Sequence, residues 1–350
     1  MAIRYSFLND YSEGAHEKIL EAMQRQNRTQ QIGYGMDDTC KKAREAIEKY
    51  LSNLDSHVHF MVGGTQTNLT VIAAFLKPHQ GVIAADTGHI NAHESGAIEG
   101  TGHKVLSLPA VNGKICAEQI EAYVKRHYAD ENADHTVQPG MVYLSHPTEV
   151  GTIYTKEELL AIRAVCDRFD MPLFVDGARL GCALTARDTD VSLRDLAALT
   201  DAFYIGGTKM GALFGEALVL RGDARNKDFR YIQKQRGGML AKGFLLGTQF
   251  LTLFTDELYF RLAEHANQMA QRLTRGLFLL GVPFLCKTPT NQVFPILPTQ
   301  VLSALREEFL YTYWEPVDAT HDAIRLCTSW ATDPAMVDAF LNRLEQLLKN

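Results

Sequence analysis

The chain has 350 residues, 46% of them hydrophobic and 22% charged, a balance typical of a globular protein and unlike a disordered or fibrous one. Its length exceeds the roughly 250–300 residues at which a single core stops growing, so a large and a small domain are expected. With 35 basic residues against 41 acidic ones, the formal charge of −6 offers no electrostatic reason for a nucleic-acid or anionic-membrane partner.

In chain order, helical spacing over residues 16–26 and 38–51 flanks a Gly33-Tyr34-Gly35 break. Short apolar runs then alternate with helical patterns. Residues 58–62 (VHFMV) stop at Gly63-Gly64, ahead of a helix-like face over 68–76. Residues 82–85 (VIAA) precede Asp86, and 105–108 (VLSL) precede Pro109. Residues 141–144 (MVYL) end at Ser145-His146-Pro147, 173–175 (LFV) at Asp176-Gly177, and 202–205 (AFYI) at Gly206-Gly207. With helical spacing over 117–127 and 157–169, the alternation predicts an α/β fold: a mostly parallel central sheet with helices on both faces. Beyond about Leu253 a long amphipathic stretch (257–280), short strands near 291–295 and 323–327, and a last helix (334–348) predict a small α+β domain. The expected division is 1–253 for the large domain, with its N-terminal helical segment, and 254–350 for the small one.

The six cysteines are scattered and include no CxxC pair, which argues against a disulfide framework or a zinc ribbon. The opening MAIRYSFLNDYSEG lacks the apolar core of a secretion signal, and no apolar run approaches the ~20 residues of a membrane span, so a cytoplasmic setting is expected.

Ligands of open α/β sheets bind at the carboxyl ends of the strands, and four such ends carry unusual residues. Gly63-Gly64-Thr65-Gln66-Thr67-Asn68 reads either as a plain N-cap turn or as a helix start whose N–H groups hold a phosphate; it fits neither GxGxxG nor the Walker pattern. Asp176 closes a buried strand, as a turn aspartate or as a carboxylate aimed into the crevice. Lys209 lies in the glycine-flanked GGTKMG, as a solvated loop lysine or as a desolvated Schiff-base nucleophile. His89 follows the VIAAD strand, where an imidazole can stack on a flat ligand. It has i,i+4 spacing with His93, but no third metal ligand accompanies the pair, so no metal is expected. Taken together, a phosphate loop, a stacking histidine, an aspartate and a lysine are what pyridoxal 5′-phosphate requires.

In this order, GGTQTN, HINAHESGA, VDGARL, GGTKMG and IRLCTSWAT resemble the threonine aldolase and β-eliminating lyase group of pyridoxal-phosphate enzymes, of aspartate aminotransferase fold type I. The resemblance runs from YSFLNDYS to the last helix and leans towards low-specificity L-threonine or phenylserine aldolase-like members. It implies that Lys209 forms the Schiff base, Asp176 keeps the ring nitrogen protonated and His89 stacks on the ring. Gly64, Thr65 and Gln66 would bind the phosphate, with Thr208 beside Lys209 in the cofactor site. Arg325 would bind the substrate carboxylate, and Arg179 would lie between that carboxylate and the ring. Asn9 and Asp10 match a serine-aspartate pair near the substrate, and Tyr34 matches a tyrosine that approaches the cofactor, often across a subunit boundary.

Two departures stand out. The family's Asn-Thr-His-Asn is His146-Pro147-Thr148-Glu149 here, with Thr148 roughly at the place of a histidine that touches the substrate hydroxyl. The arginine of its GGGMRQ is Leu240, leaving Arg236 or Lys242 to supply that cation. The implied reaction is retro-aldol cleavage of an L-β-hydroxy-α-amino acid to glycine and an aldehyde, with His89, a water it holds, or Glu94 as base for the hydroxyl. β-Elimination, transamination or non-catalytic cofactor binding are the alternatives. The implied partners are a small amino-acid substrate and further copies of the chain, as a homodimer or homotetramer with shared active sites.

Overall fold

The computed structural model describes residues 5–51 and 55–349. A short strand β1 (Tyr5–Ser6) and helices Glu17–Gln26 and Asp38–Glu48 precede the central sheet. That sheet contains β2 (Ser56–Met61), β3 (Gln80–Ala85), β4 (Val105–Leu108), β5 (Gln138–Ser145), β6 (Leu173–Asp176), β7 (Ala202–Gly206) and β8 (Glu216–Arg221). Across it the strands run β2-β8-β7-β6-β5-β3-β4, and β8 is antiparallel to both its neighbours while the other pairs are parallel. The expected strands are all present, and β8 joins them as an addition.

Alternation along the strands divides the core. Leu173 and Val175 of β6 and Phe203 and Ile205 of β7 face one apolar layer; Phe174, Ala202 and Tyr204 face the other. Helices cover both faces, so the inner strands are buried along almost their whole length. Helix Lys156–Arg168 starts at a capping box, in which Thr155 and Glu158 each bond the other's backbone N–H. Helix Phe244–Phe254 crosses helix Asp38–Glu48 so closely that a Cβ on Gly247 would stand 2.6 Å from Cys40 Sγ.

The C-terminal part has its own sheet of β9 (Gln292–Val293), β10 (Ile296–Pro298), β12 (Thr312–Pro316) and β13 (His321–Cys327), and β11 (Phe309–Leu310) lies outside it. Strands β10, β12 and β9 all pair with β13, whereas β11 pairs with β1 from the start of the chain. Phe7 consequently joins Ile324, Val337 and Phe340 in a second apolar cluster. The long helix Leu258–Leu279 belongs to both cores, giving Leu258, Leu262 and Ala266 to the first and Met269, Leu273 and Leu277 to the second. No helix among the described residues is long and apolar enough to cross a membrane.

The turn after β6 leaves no room for a side chain: a Cβ on Gly177 would lie 1.9 Å from the Tyr204 carbonyl oxygen. We expect Gly177→Ala to destabilise the protein by at least about 1–3 kcal/mol, as overpacking does. Gly14→Ala, where a Cβ meets nothing within 4 Å, should stay within about 0.5 kcal/mol of the parent. Urea-denaturation midpoints of the two variants check this.

Candidate active site

Asp176 ends β6 and stands beside Ser145, the last residue of β5. Its carboxylate is buried, and three groups donate to it: Tyr143 Oη at 2.6 Å and Asn68 Nδ2 at 2.9 Å to Oδ2, and the Ala178 N–H at 2.9 Å to Oδ1. Burial acts to raise its pKa. The His89 charge and the hydroxyls of Tyr143 and Tyr204 outweigh that and hold the carboxyl below its usual range. Asp176 is therefore an anion at neutral pH with no cation in salt-bridge contact among the described residues.

His89 opens the short helix His89–Ala92 that follows β3. Its Nδ1 lies 2.7 Å from Glu94 Oε1, which also accepts from Asn68 Nδ2 at 2.7 Å. On the other side, the His89 N–H donates to Glu149 Oε1 at 2.8 Å, and Ser145 Oγ donates to the same oxygen at 2.5 Å. Ser145 Oγ is 3.4 Å from Tyr143 Oη, closing a ring of polar contacts through His89, Glu94, Asn68, Asp176, Tyr143, Ser145 and Glu149. Burial acts to lower the His89 pKa, but Glu94 and Asp176 more than compensate and raise it. Glu149 is half-buried, and burial raises its carboxyl.

Lys209 lies in the turn after β7. Glu216, the first residue of β8, braces this turn: its carboxylate accepts from the Gly207 N–H at 3.0 Å and from Thr208 Oγ1 at 3.0 Å. Thr208 Oγ1 in turn accepts from the Gly215 N–H at 3.0 Å, so its hydroxyl shapes the turn. The half-buried Lys209 has its Nζ 5.9 Å from the centre of the Tyr11 ring. Among the described residues no carboxylate lies in salt-bridge range of it. Burial and the nearby Arg179 charge lower its pKa, against the pull of Asp10, Asp176 and Glu216.

Helix Gly64–Phe75 begins at Gly63 without a side-chain cap. The first backbone bond of its ladder is Thr67 N to Gly63 O, so the N–H groups of Gly64, Thr65 and Gln66 have no intrahelical acceptor. The Gln66 side chain is engaged, accepting from the Val62 N–H at 3.2 Å and donating to the Arg236 carbonyl at 3.3 Å. That leaves its main chain, not its amide, for an anion. A Cβ on Gly64 would come within 3.0 Å of Tyr204 Oη.

The two arginines differ sharply. Arg179 makes a two-point pair with buried Asp10, Nε to Oδ2 at 2.6 Å and Nη2 to Oδ1 at 3.1 Å, and Asn291 donates to Asp10 at 2.8 Å. Arg325, on β13, has only neutral and long contacts: Leu8 O at 3.2 Å, and Gln292 Oε1 and Thr312 Oγ1 at 3.4 Å. Its Nε is buried without a partner. Asn9, next to Asp10, turns its side chain back on its own segment, accepting from the Tyr11 N–H and Ser12 Oγ at 3.0 Å each. Tyr34 is 44% exposed and adopts φ 61°, with Lys234 Nζ 4.5 Å from its ring centre and Arg230 donating to its carbonyl at 3.3 Å. Its contacts are thus with the 230–241 segment, whereas Asp176, His89, Lys209, Arg179 and the Gly64 helix start gather at the sheet's carboxyl edge.

Sequence reasoning passed over Asn68, Tyr143, Tyr204 and Glu216, which hold the aspartate and the lysine turn. A usable signal existed for two of them: a tyrosine inside MVYL and a glutamate directly before ALVL are polar groups in runs that must be buried.

The family model described as beta-eliminating lyase matches residues 7–299. The low-specificity L-threonine aldolase of Pseudomonas aeruginosa is 30% identical over 333 residues, covering 93% of each chain. Its counterpart from a Pseudomonas species is also 30% identical, over 337 residues, covering 95% of this chain and 94% of the relative. Among solved structures, Leishmania major threonine aldolase superposes with a TM-score of 0.95 at 46% identity, over 98% of this chain and 99% of that one. Thermus thermophilus aspartate aminotransferase shares the fold, with a TM-score of 0.72 at 17% identity over 98% of this chain and 91% of the other. On the extent of these matches, the chain belongs to the beta-eliminating lyase family.

Proposed function

We propose that the protein is a pyridoxal-phosphate-dependent carbon–carbon lyase that cleaves L-β-hydroxy-α-amino acids of the threonine, allo-threonine or phenylserine type to glycine and an aldehyde. The observation that carries this reading is the pairing, on adjacent strand ends, of a buried anionic Asp176 with a half-buried Lys209 that has no salt-bridge partner among the described residues. The names of the Pseudomonas and Leishmania relatives supply the reaction class.

The residues present fit the cofactor. Uncapped N–H groups at Gly64, Thr65 and Gln66 suit its phosphate, and a side chain at Gly64 would crowd Tyr204. Asp176 suits a protonated ring nitrogen, His89 a ring face, and Lys209 the aldehyde carbon. When bound, the group supplies an electron sink for the bond broken at Cα.

The chain's own work is electrostatic and steric. Asp176 would keep a ring nitrogen protonated, because its own carboxyl resists protonation. The lowered pKa of Lys209 gives a larger share of neutral amine, the form that attacks a carbonyl and accepts a proton. Arg325, a cation with no anionic partner among the described residues, is available for the substrate carboxylate in a two-point pair. Arg179 is neutralised by Asp10 and contributes a fixed wall beside that site. The six cysteines are all unpaired, four of them buried, which suits a reducing cytoplasmic setting. The exposed Ile32, Tyr34, Met36 and Tyr231 on neighbouring segments suit burial in a homodimer or homotetramer.

Three outcomes test this reading. Protein loaded with pyridoxal phosphate should release glycine and aldehyde from L-threonine, L-allo-threonine or phenylserine; pyruvate and ammonia would instead indicate elimination. Lys209→Ala should lose both the bound-cofactor absorbance and turnover, and an unchanged band would reject the lysine assignment. Arg325→Lys should raise KM roughly 10–100-fold with a smaller effect on kcat, the worth of a lost charged two-point contact.

Asp10 gives a stability test. Burial works against its anion, but the Arg179 and Lys209 charges prevail and hold the carboxyl at about 2. A depressed carboxyl stabilises the fold above its unfolded value near 4, by about 2 kcal/mol here, and this is lost as pH falls through the folded value. Asp10→Asn should cost about 3–5 kcal/mol at pH 7, because Arg179 stays buried without its anion. It should also show a shallower loss between pH 4 and pH 2, as urea titrations at several pH values would reveal.

A further inference from the structure

Retro-aldol cleavage, the reading on which this inference rests, needs a base for the β-hydroxyl proton, and most candidate groups near the site are already engaged. Thr148 is buried, with its hydroxyl 2.7 Å from Thr152 Oγ1. His146 is fully buried; its Nδ1 accepts from the Tyr154 N–H at 3.3 Å, and the charges it feels are Lys114, Asp190 and Glu158, none of them at the site. Glu149 Oε1 is taken by Ser145 and the His89 N–H, and Glu94 Oε1 by His89 and Asn68, while Glu94 Oε2 is buried away from solvent. His89 would give its ring face to the cofactor, and its Nδ1 is taken by Glu94. That anion favours the imidazolium, whose remaining nitrogen is a donor and not a proton acceptor.

His93 remains. It caps the short helix that begins at His89, its ring centre 5.7 Å from that of His89 and tilted by 54°. The side chain is exposed, and neither ring nitrogen has a hydrogen-bond partner among the described residues. Charges reach it from two sides: His89 on its own segment and Arg325 on β13. His93 thus stands exposed beside the imidazole assigned to the cofactor ring, within the field of the guanidinium assigned to the substrate carboxylate.

We propose that His93 is the catalytic base that takes the β-hydroxyl proton of the substrate. One of its free ring nitrogens accepts that proton as the carbinol C–O becomes the aldehyde C=O and the Cα–Cβ bond breaks. The bonding pair leaves with the glycine half, which takes a proton at Cα before release. Partial burial and the two neighbouring cations lower the His93 pKa, so the ring is neutral at pH 7, the state a base requires.

The test uses the cofactor-loaded enzyme with phenylserine and L-threonine. His93→Phe is expected to lower kcat about 10²–10⁴-fold, the usual worth of a general base. Glycine affinity, read from the change in cofactor absorbance, should stay within about threefold, because glycine has no β-hydroxyl. The wild-type kcat should fall in acid with an apparent pKa below the ordinary imidazole value of about 6.5, a limb absent from His93→Phe. Imidazole added to His93→Ala should restore cleavage at least about tenfold over the unsupplemented variant. A His93→Phe enzyme cleaving within about threefold of wild type with the acid limb intact would overturn the assignment alone. Parallel loss of glycine affinity and cleavage would also overturn it, since the residue would then serve binding. A wild-type enzyme releasing no glycine from either substrate would reject the lyase reading and this inference with it.

Discussion

A negative charge held inside the protein without a salt-bridge partner is the constraint around which this site is built. A buried carboxylate ordinarily takes up a proton, because burial disfavours the ion. Asp176 remains ionised because two phenols, an amide and a backbone N–H solvate it as water would, and because an imidazolium lies nearby. The side chains around it come from different elements: Tyr143 from β5, Tyr204 from β7, Asn68 from the helix after β2, and the His89 charge from the segment after β3. Solvating one carboxylate therefore fixes the register of four strand ends at once. The neighbouring lysine turn is braced by a second enclosed carboxyl, Glu216, one that burial pushes upwards in pKa.

The two guanidinium groups show how function is separated from stability by pairing alone. Arg179 has a full counter-ion, and removing Asp10 would leave its charge stranded. Arg325 is held by carbonyl, amide and hydroxyl oxygens at the long end of hydrogen-bond range, with Trp314 5.8 Å below it. Such surroundings orient a cation without cancelling it. One arginine completes the protein, and the other still has an anion to meet.

The parallel sheet was legible because strands buried on both faces are written as short apolar runs ending in glycine or a polar residue, and Asp176, Lys209 and His89 stand directly after such runs. β8 was harder to see, since Glu216 heads it and EALVLR follows a glycine turn without a helix between. Helix Phe244–Phe254 is apolar nearly all round, so it offers no periodic polar face to detect. The ring of contacts joining His89 to Asp176 could not be read either. His89, Tyr143 and Asp176 are far apart in the chain, and the strand order β6-β5-β3 brings them together. Thr148 shows the limit of motif alignment: a residue at the place of a family histidine was found bonded into its own turn.

The first residues of the described chain run as a ribbon between the two cores. β1 pairs with β11, Leu8 O accepts from Arg325, Asp10 holds Arg179, and Glu13 accepts from Ser329 Oγ. The Leu8–Arg325 contact spans 317 positions of sequence. During synthesis, which proceeds from the N-terminus, this ribbon can meet Arg179 early, but its remaining partners come only once β11 and β13 have emerged. The carboxylate-binding corner is then assembled late by topological necessity, so a nascent chain with a finished central sheet would still have no place to seat an amino acid.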